Sequence, residues 1–116
     1  MTEEEFRAIA MSFPGVETGF NMKSTFFKVN GKDLARLLGD DNIMLTGVGP
    51  DEIDHLIESD PAAFHATQHL RAAKCIAARL AGLDGKVLRA MLERRFRELG
   101  KKAVVKAWDA GQAAPL

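Results

Sequence analysis

Between Lys86 and Lys106 the chain sets Lys86, Arg89, Arg94, Arg95, Arg97, Lys101, Lys102 and Lys106 against only Glu93 and Glu98. A cationic helix of this kind can neutralise phosphates without reading bases, because each contact releases condensed counterions whatever the sequence beneath it. The same pattern fits a solvated helix face whose last cations complement the helix dipole. A second constellation lies upstream. If Phe27, Val29, Ala35 and Leu37 point into a core, the two-residue period of a strand puts Phe26, Lys28, Leu34 and Arg36 on the opposite face. A later strand with Ile76, Ala78 and Leu80 inward would leave Cys75, Ala77 and Arg79 outward. An aromatic among cations on a flat sheet can stack a base and hold phosphate; long Lys and Arg stems can equally shield a half-covered sheet. The candidate nucleic-acid contacts are therefore Phe26, Lys28, Arg36, Arg79, Arg94, Arg95, Lys101 and Lys102.

Catalytic signatures are weaker. His65 and His69 stand four apart with His55 upstream, a spacing that could share a metal on a helix. Pro61 and the polar run that follows point to a loop instead, and no carboxylate stands at zinc-motif spacing, so neither metal nor cofactor is expected. Asp40-Asp41 suits turn chemistry, and Asp51, Glu52 and Asp54 suit the positive end of a helix. Cys75 has Arg71 and Lys74 nearby but no His/Asp partner at a recognisable spacing, which favours a structural thiol. Gly47-Val48-Gly49-Pro50 lacks the later glycine and the lysine of a phosphate loop. The expectation is a protein that is not an enzyme.

These groups need elements to position them. Thr2 with Glu5 makes a capping box, and Phe6, Ile9, Ala10 and Phe13 recur at helical spacing until Pro14-Gly15 stops the helix. Strands are expected at 16–20, 23–29, 32–38 and 43–48, with Asn30-Gly31 as a hairpin turn. Pro50 opens a helix whose stripe is Ile53, Leu56 and Ile57. Residues 64–71 read as a loop with one buried aromatic, and 74–80 as a fifth strand. Asp84 caps a long helix with Val87, Leu88, Met91, Leu92, Phe96 and Leu99 as its apolar face, ended by Gly100. Residues 101–110 suggest a helical turn or two. One domain over 1–110 is expected, then a frayed tail over 111–116. The order α-β-β-β-β-α-β-α implies an α+β fold, a single antiparallel sheet with helices packed on one face.

With 116 residues, 47% hydrophobic and 28% charged, the chain can build one core. Its apolar runs are too short for a membrane span, and the early Glu3-Glu4-Glu5 run without a basic region offers no secretory leader. A single cysteine excludes an internal disulfide; a cytoplasmic protein is the expectation. The formal charge is zero, yet residues 1–60 carry 5 Lys/Arg against 12 Asp/Glu and residues 61–116 carry 11 against 4. Such a split can mark a basic face for polyanions or join two halves of one domain.

Several segments resemble the MmcQ/YjbR family of small bacterial proteins. Pro14-Gly15-Val16-Glu17 is similar to its helix-to-strand turn, Phe27-Lys28-Val29 with Gly31-Lys32 to its hairpin, and Ala35-Arg36-Leu37 to the next strand. Pro50-Asp51-Glu52, Asp60-Pro61 and Phe64 resemble its middle helix and exit; Thr67 and His69 resemble the loop before its last strand. Many members carry a Trp in that strand, where this chain has Lys74-Cys75, and the basic Gly100-Lys101-Lys102 extension also departs from the family's ending. The resemblance implies a frataxin-like, double-wing α+β fold and a family often labelled DNA-binding. Possible partners are thus nucleic acid or, through the same sheet face, another protein or small ligand.

Overall fold

Thr2 accepts a hydrogen bond from the Glu5 N–H while the Glu5 carboxylate accepts one from the Thr2 N–H, and this reciprocal cap starts α1 (Glu3–Met11). Gly15, at φ +78°, turns the chain into a meander of β1 (Val16–Asn21), β2 (Ser24–Val29), β3 (Lys32–Gly39) and β4 (Asn42–Thr46). Its turns are Met22-Lys23, Asn30-Gly31 and Asp40-Asp41, each with both residues at positive φ, as type I′ hairpins require. Then come α2 (Pro50–Ser59), β5 (Phe64–His65), α3 (Gln68–Ala72), β6 (Cys75–Arg79), a 3-10 turn (Leu80–Gly82), α4 (Gly85–Leu99) and α5 (Lys102–Ala113). The computed structural model describes residues 1–113. All pairings are antiparallel, in the order β1-β2-β3-β4-β6-β5.

This is an α+β architecture around one six-stranded sheet. The expected order α-β-β-β-β-α-β-α is incomplete. Residues 64–71 are not a loop: Phe64 is buried and pairs with Ala78, and Thr67 caps α3 by accepting from the Leu70 N–H. The expected turn or two after Gly100 is a full helix that runs to Ala113, into the segment expected to fray; residues 114–116 lie outside the described residues. Helix α5 is held by Trp108, whose ring lies 5.6 Å from Phe13 and 5.3 Å from Phe96. The Arg97 guanidinium grips both Asp109 carboxylate oxygens, at 2.6 and 2.8 Å.

Phe27, Val29, Ala35, Leu37, Ile43 and Leu45 line the inner sheet face and are buried. Phe6, Ala10, Ile53, Leu88, Leu92 and Phe96 from α1, α2 and α4 complete the same core, while Val87, expected on the apolar face of α4, is exposed in its first turn. Phe27 meets Phe6 edge-on at 5.5 Å, a favoured geometry for aromatic quadrupoles. Leu34 corrects the alternation. The register shifts between Phe27↔Ala35 and Lys28↔Asp33, so Leu34 is an extra residue in β3. That bulge lets it join the core fully buried instead of facing outward with Arg36.

Candidate nucleic-acid interface

The cross-strand register builds one straight row over the outer face: Gly19, Phe26, Arg36, Met44, Ala77 and His65, one residue from each strand. Phe26 lies across Gly19; a Cβ added there would stand 2.6 Å from the end of the ring. The Lys28 ammonium sits 4.7 Å from the ring centroid. The aromatic is therefore packed between a glycine and a cation, and a base could stack on it only after Lys28 swings aside. Arg36 is tied to Asp33 at 2.9 Å and reaches toward Ser24 at 3.5 Å.

At the end of β4 the outer face meets α4. Arg95 runs its stem over Gly47, where an added Cβ would lie 2.7 Å from Cδ, and its Nε donates to the Thr46 hydroxyl at 3.0 Å. That hydroxyl donates in turn to the Asp33 carbonyl at 2.7 Å, so Arg95 braces the β3–β4 pair. Burial raises the pKa of the Cys75 thiol, against the pull of the nearby Arg95. The thiol is buried and contacts the Ala73 carbonyl, in keeping with a structural thiol. Burial, then Arg79, lowers the pKa of His65. His65 lies in β5, His69 in α3 and His55 in α2. Among the described residues no group of three His, Cys, Asp or Glu side chains converges as a metal site would require.

Besides Phe26 and Lys28, which pack on each other, the nominated contacts separate into two sets. Arg94 donates to Glu52 of α2 at 2.8 Å, which raises its pKa; Arg95 and Arg36 are engaged as described; Arg79 donates to the Ala62 carbonyl. These cations already serve the fold. Lys101 and Lys102 are different: both are exposed, and among the described residues neither makes an ion pair within 4 Å. Asn30 of the β2–β3 turn donates to the Leu99 carbonyl at the end of α4, and this contact brings the turn beside Lys101. Together Asn30, Gly31, Gly100 and Lys101 edge a hollow of about 340 Å³, with Pro14, Val29 and Val104 as its apolar part and Glu17 on its rim. Lys28 enters that turn and Lys32 leaves it, but Lys28 pairs with Asp33 and Lys32 with Val29, so the two lysines lie on opposite faces of the sheet, and Lys101 is the lysine that edges the hollow. Lys32 was missing from the nominated set. Its signal was its place directly after Asn30-Gly31, but nothing in the sequence says that this turn docks on α4.

The protein from Deinococcus radiodurans called DR2400, described with the family-model domain DUF419, superposes with a TM-score of 0.72. The two chains are 20% identical over 98% of this chain and 89% of that one. The likeness is one of fold. A Pseudomonas syringae protein gives a TM-score of 0.67 at 18% identity, covering 85% of this chain and 99% of that one. No protein-family model and no curated protein matches this chain. Among the described residues no helix is long and apolar enough to cross a membrane.

Proposed function

We propose that this is a non-enzymatic protein of the MmcQ/YjbR type, the family to which DUF419 corresponds, with that family's frataxin-like fold. It binds nucleic-acid backbone weakly and without sequence preference. The observation that carries the reading is that Lys101, beside the Asn30-Gly31 turn that Lys28 and Lys32 flank, and Lys102 pair with no carboxylate among the described residues, while Arg94, Arg95 and Arg97 of α4 are occupied by Glu52, Thr46 and Asp109. Lysines not committed to an internal carboxylate can exchange counterions for phosphates at little structural cost. Lys101 and Lys102 also stand at the positive end of α5, where an anion would relieve an unfavourable cation–dipole arrangement. Phe26 and Arg36 lie on the adjoining outer face and shape the surface more than they grip it, whereas Arg79, paired with Asn42 beside the β3–β4 turn, stands at the opposite end of the sheet.

The test is a salt titration of binding to duplex and single-stranded oligonucleotides. Each phosphate contact on duplex DNA contributes about −0.9 to the slope of log affinity against log salt. Replacing Lys101 and Lys102 together by Ala should therefore shallow the slope by roughly 1.8. Arg94→Ala should leave the slope nearly unchanged and lower stability instead. Absence of binding to either oligonucleotide at low salt, with folded protein, overturns the proposal and leaves a protein-interaction module as the better reading.

A further inference from the structure

The two edges of the sheet differ. β5 is a two-residue strand, whereas β1 offers a six-residue edge. Natural sheets blunt such an edge with lysine, proline, a bulge or an inward charge. β1 reads Val-Glu-Thr-Gly-Phe-Asn, pairs with β2 without a register shift, and carries Glu17 as its single charge. Beside it stand the two most exposed large apolar side chains among the described residues, Phe20 at 73% and Met22 at 88%. Met22 and Lys23 form the β1–β2 turn with φ of 48° and 71°, a left-handed pair made without the glycine or asparagine that normally occupies it.

The hydrogen-bonding pattern of this edge follows from the turn. A two-residue hairpin closes on a hydrogen-bonded pair, here Asn21↔Ser24, and such pairs alternate along an antiparallel ladder. Gly19↔Phe26 and Glu17↔Lys28 are then hydrogen-bonded as well. The Thr18 hydroxyl donating to the Phe26 carbonyl at 3.0 Å fits a carbonyl aimed at β1. Val16, Thr18 and Phe20 must turn their N–H and C=O groups away from β2, toward solvent.

We propose that β1 pairs antiparallel with β1 of a second copy of this chain about a two-fold axis at Thr18. An antiparallel ladder must set outward-facing residues opposite outward-facing residues. A two-fold axis through the strand therefore passes through one whole residue. With the axis at Glu17, two carboxylates meet directly; with the axis at Gly19, Val16 has no strand residue opposite it. At Thr18 every outward group finds a partner: Val16 faces the other copy's Phe20, Thr18 faces Thr18, and Glu17 faces Gly19. Phe20 passes from solvent onto an apolar neighbour, on the same inner face as Val16. The strand is thus self-complementary in its hydrogen-bonding pattern and keeps the two Glu17 carboxylates from meeting, which an isologous interface requires and an unrelated peptide would match only by chance. The result is one continuous sheet across two molecules. A single strand pair buries less than the roughly 1,200–2,000 Å² of a standard stable interface, so the dimer should dissociate on dilution.

Sedimentation velocity over a concentration series tests this, with hydrogen exchange of the β1 amides. The expected result is a concentration-dependent dimer in which the Thr18 and Phe20 amides gain protection while the Gly19 amide, already bonded to β2, does not change. Thr18→Pro deletes an outward N–H and should weaken the dimer at least about tenfold, the effect of losing roughly 1.4 kcal/mol. Thr18→Val, which keeps the N–H, should dimerise like wild type. Phe20→Lys should be monomeric and folded, and it decides the matter should the proline variant fail to fold. A wild-type monomer at every concentration, or a dimer that survives both Thr18→Pro and Phe20→Lys, overturns the proposal.

Discussion

Phe26 and Phe27 are adjacent in sequence and opposite in environment, so replacing each by alanine measures the register of the sheet directly. Phe27 has no exposed surface and an edge-on partner in Phe6. Truncation opens a cavity that its packed neighbours cannot fill, at a cost of about 3–5 kcal/mol. Phe26 lies on the outer face over Gly19, where water replaces the lost ring and no cavity forms. Its loss should cost about 1–2 kcal/mol of apolar burial. At roughly 2.1 cal/mol/K per residue, unfolding this 116-residue chain carries about 0.24 kcal/mol/K of entropy near its midpoint. Phe27→Ala should then lower the Tm by about 12–20 °C and Phe26→Ala by about 4–8 °C. The assay is thermal unfolding followed by circular dichroism, with urea titration to check that the transition stays two-state. Equal losses, or a larger loss for Phe26, would refute both the register and the outer face built upon it.

Two further predictions rest on single contacts. Gly47→Ala adds a Cβ 2.7 Å from Arg95 Cδ at a φ of +71°; it should displace Arg95 from Thr46 and cost about 2–3 kcal/mol in urea unfolding, left-handed strain plus the lost hydrogen bond, falling by about 1 kcal/mol to the strain alone in an Arg95→Ala background. Arg97 lowers the pKa of Asp109 from its ordinary 3.8, so this ion pair contributes stability that is fully present above that value and is lost as pH falls through the lower folded pKa. Trp108, the chain's one tryptophan, lies 5.4 Å from Arg97 and should report the loss as an acid fluorescence transition that Asp109→Asn abolishes.

What the sequence made legible was local. Asn30-Gly31 announced a hairpin because few residues accept two consecutive left-handed conformations. Alternation along 27–29 and 35–37 separated the faces because the strand period is two. Leu34 escaped because a bulge breaks that period without any glycine to mark it. β5 escaped because two residues have no periodicity, although Thr67 before Gln68 was a readable cap for the helix beyond it. The functional surface was hardest to foresee. Whether Arg94 or Lys101 is available depends on Glu52 and Asn30, residues 42 and more positions away, and composition counts both cations alike.

The meander also sets a schedule for synthesis. The four strands through Thr46 are joined by two-residue turns and can pair as soon as they emerge. β4 then lacks its other neighbour until Cys75–Arg79 arrives, and the apolar face of Phe27, Leu37, Ile43 and Leu45 lacks its main cover until α4 ends at Leu99. About fifty residues separate those events, or roughly 3–10 s at ribosomal rates of about 5–20 residues per second. During that interval the nascent chain presents an open strand edge and an incompletely covered hydrophobic sheet together, the combination that makes a folding chain aggregation-prone and chaperones necessary.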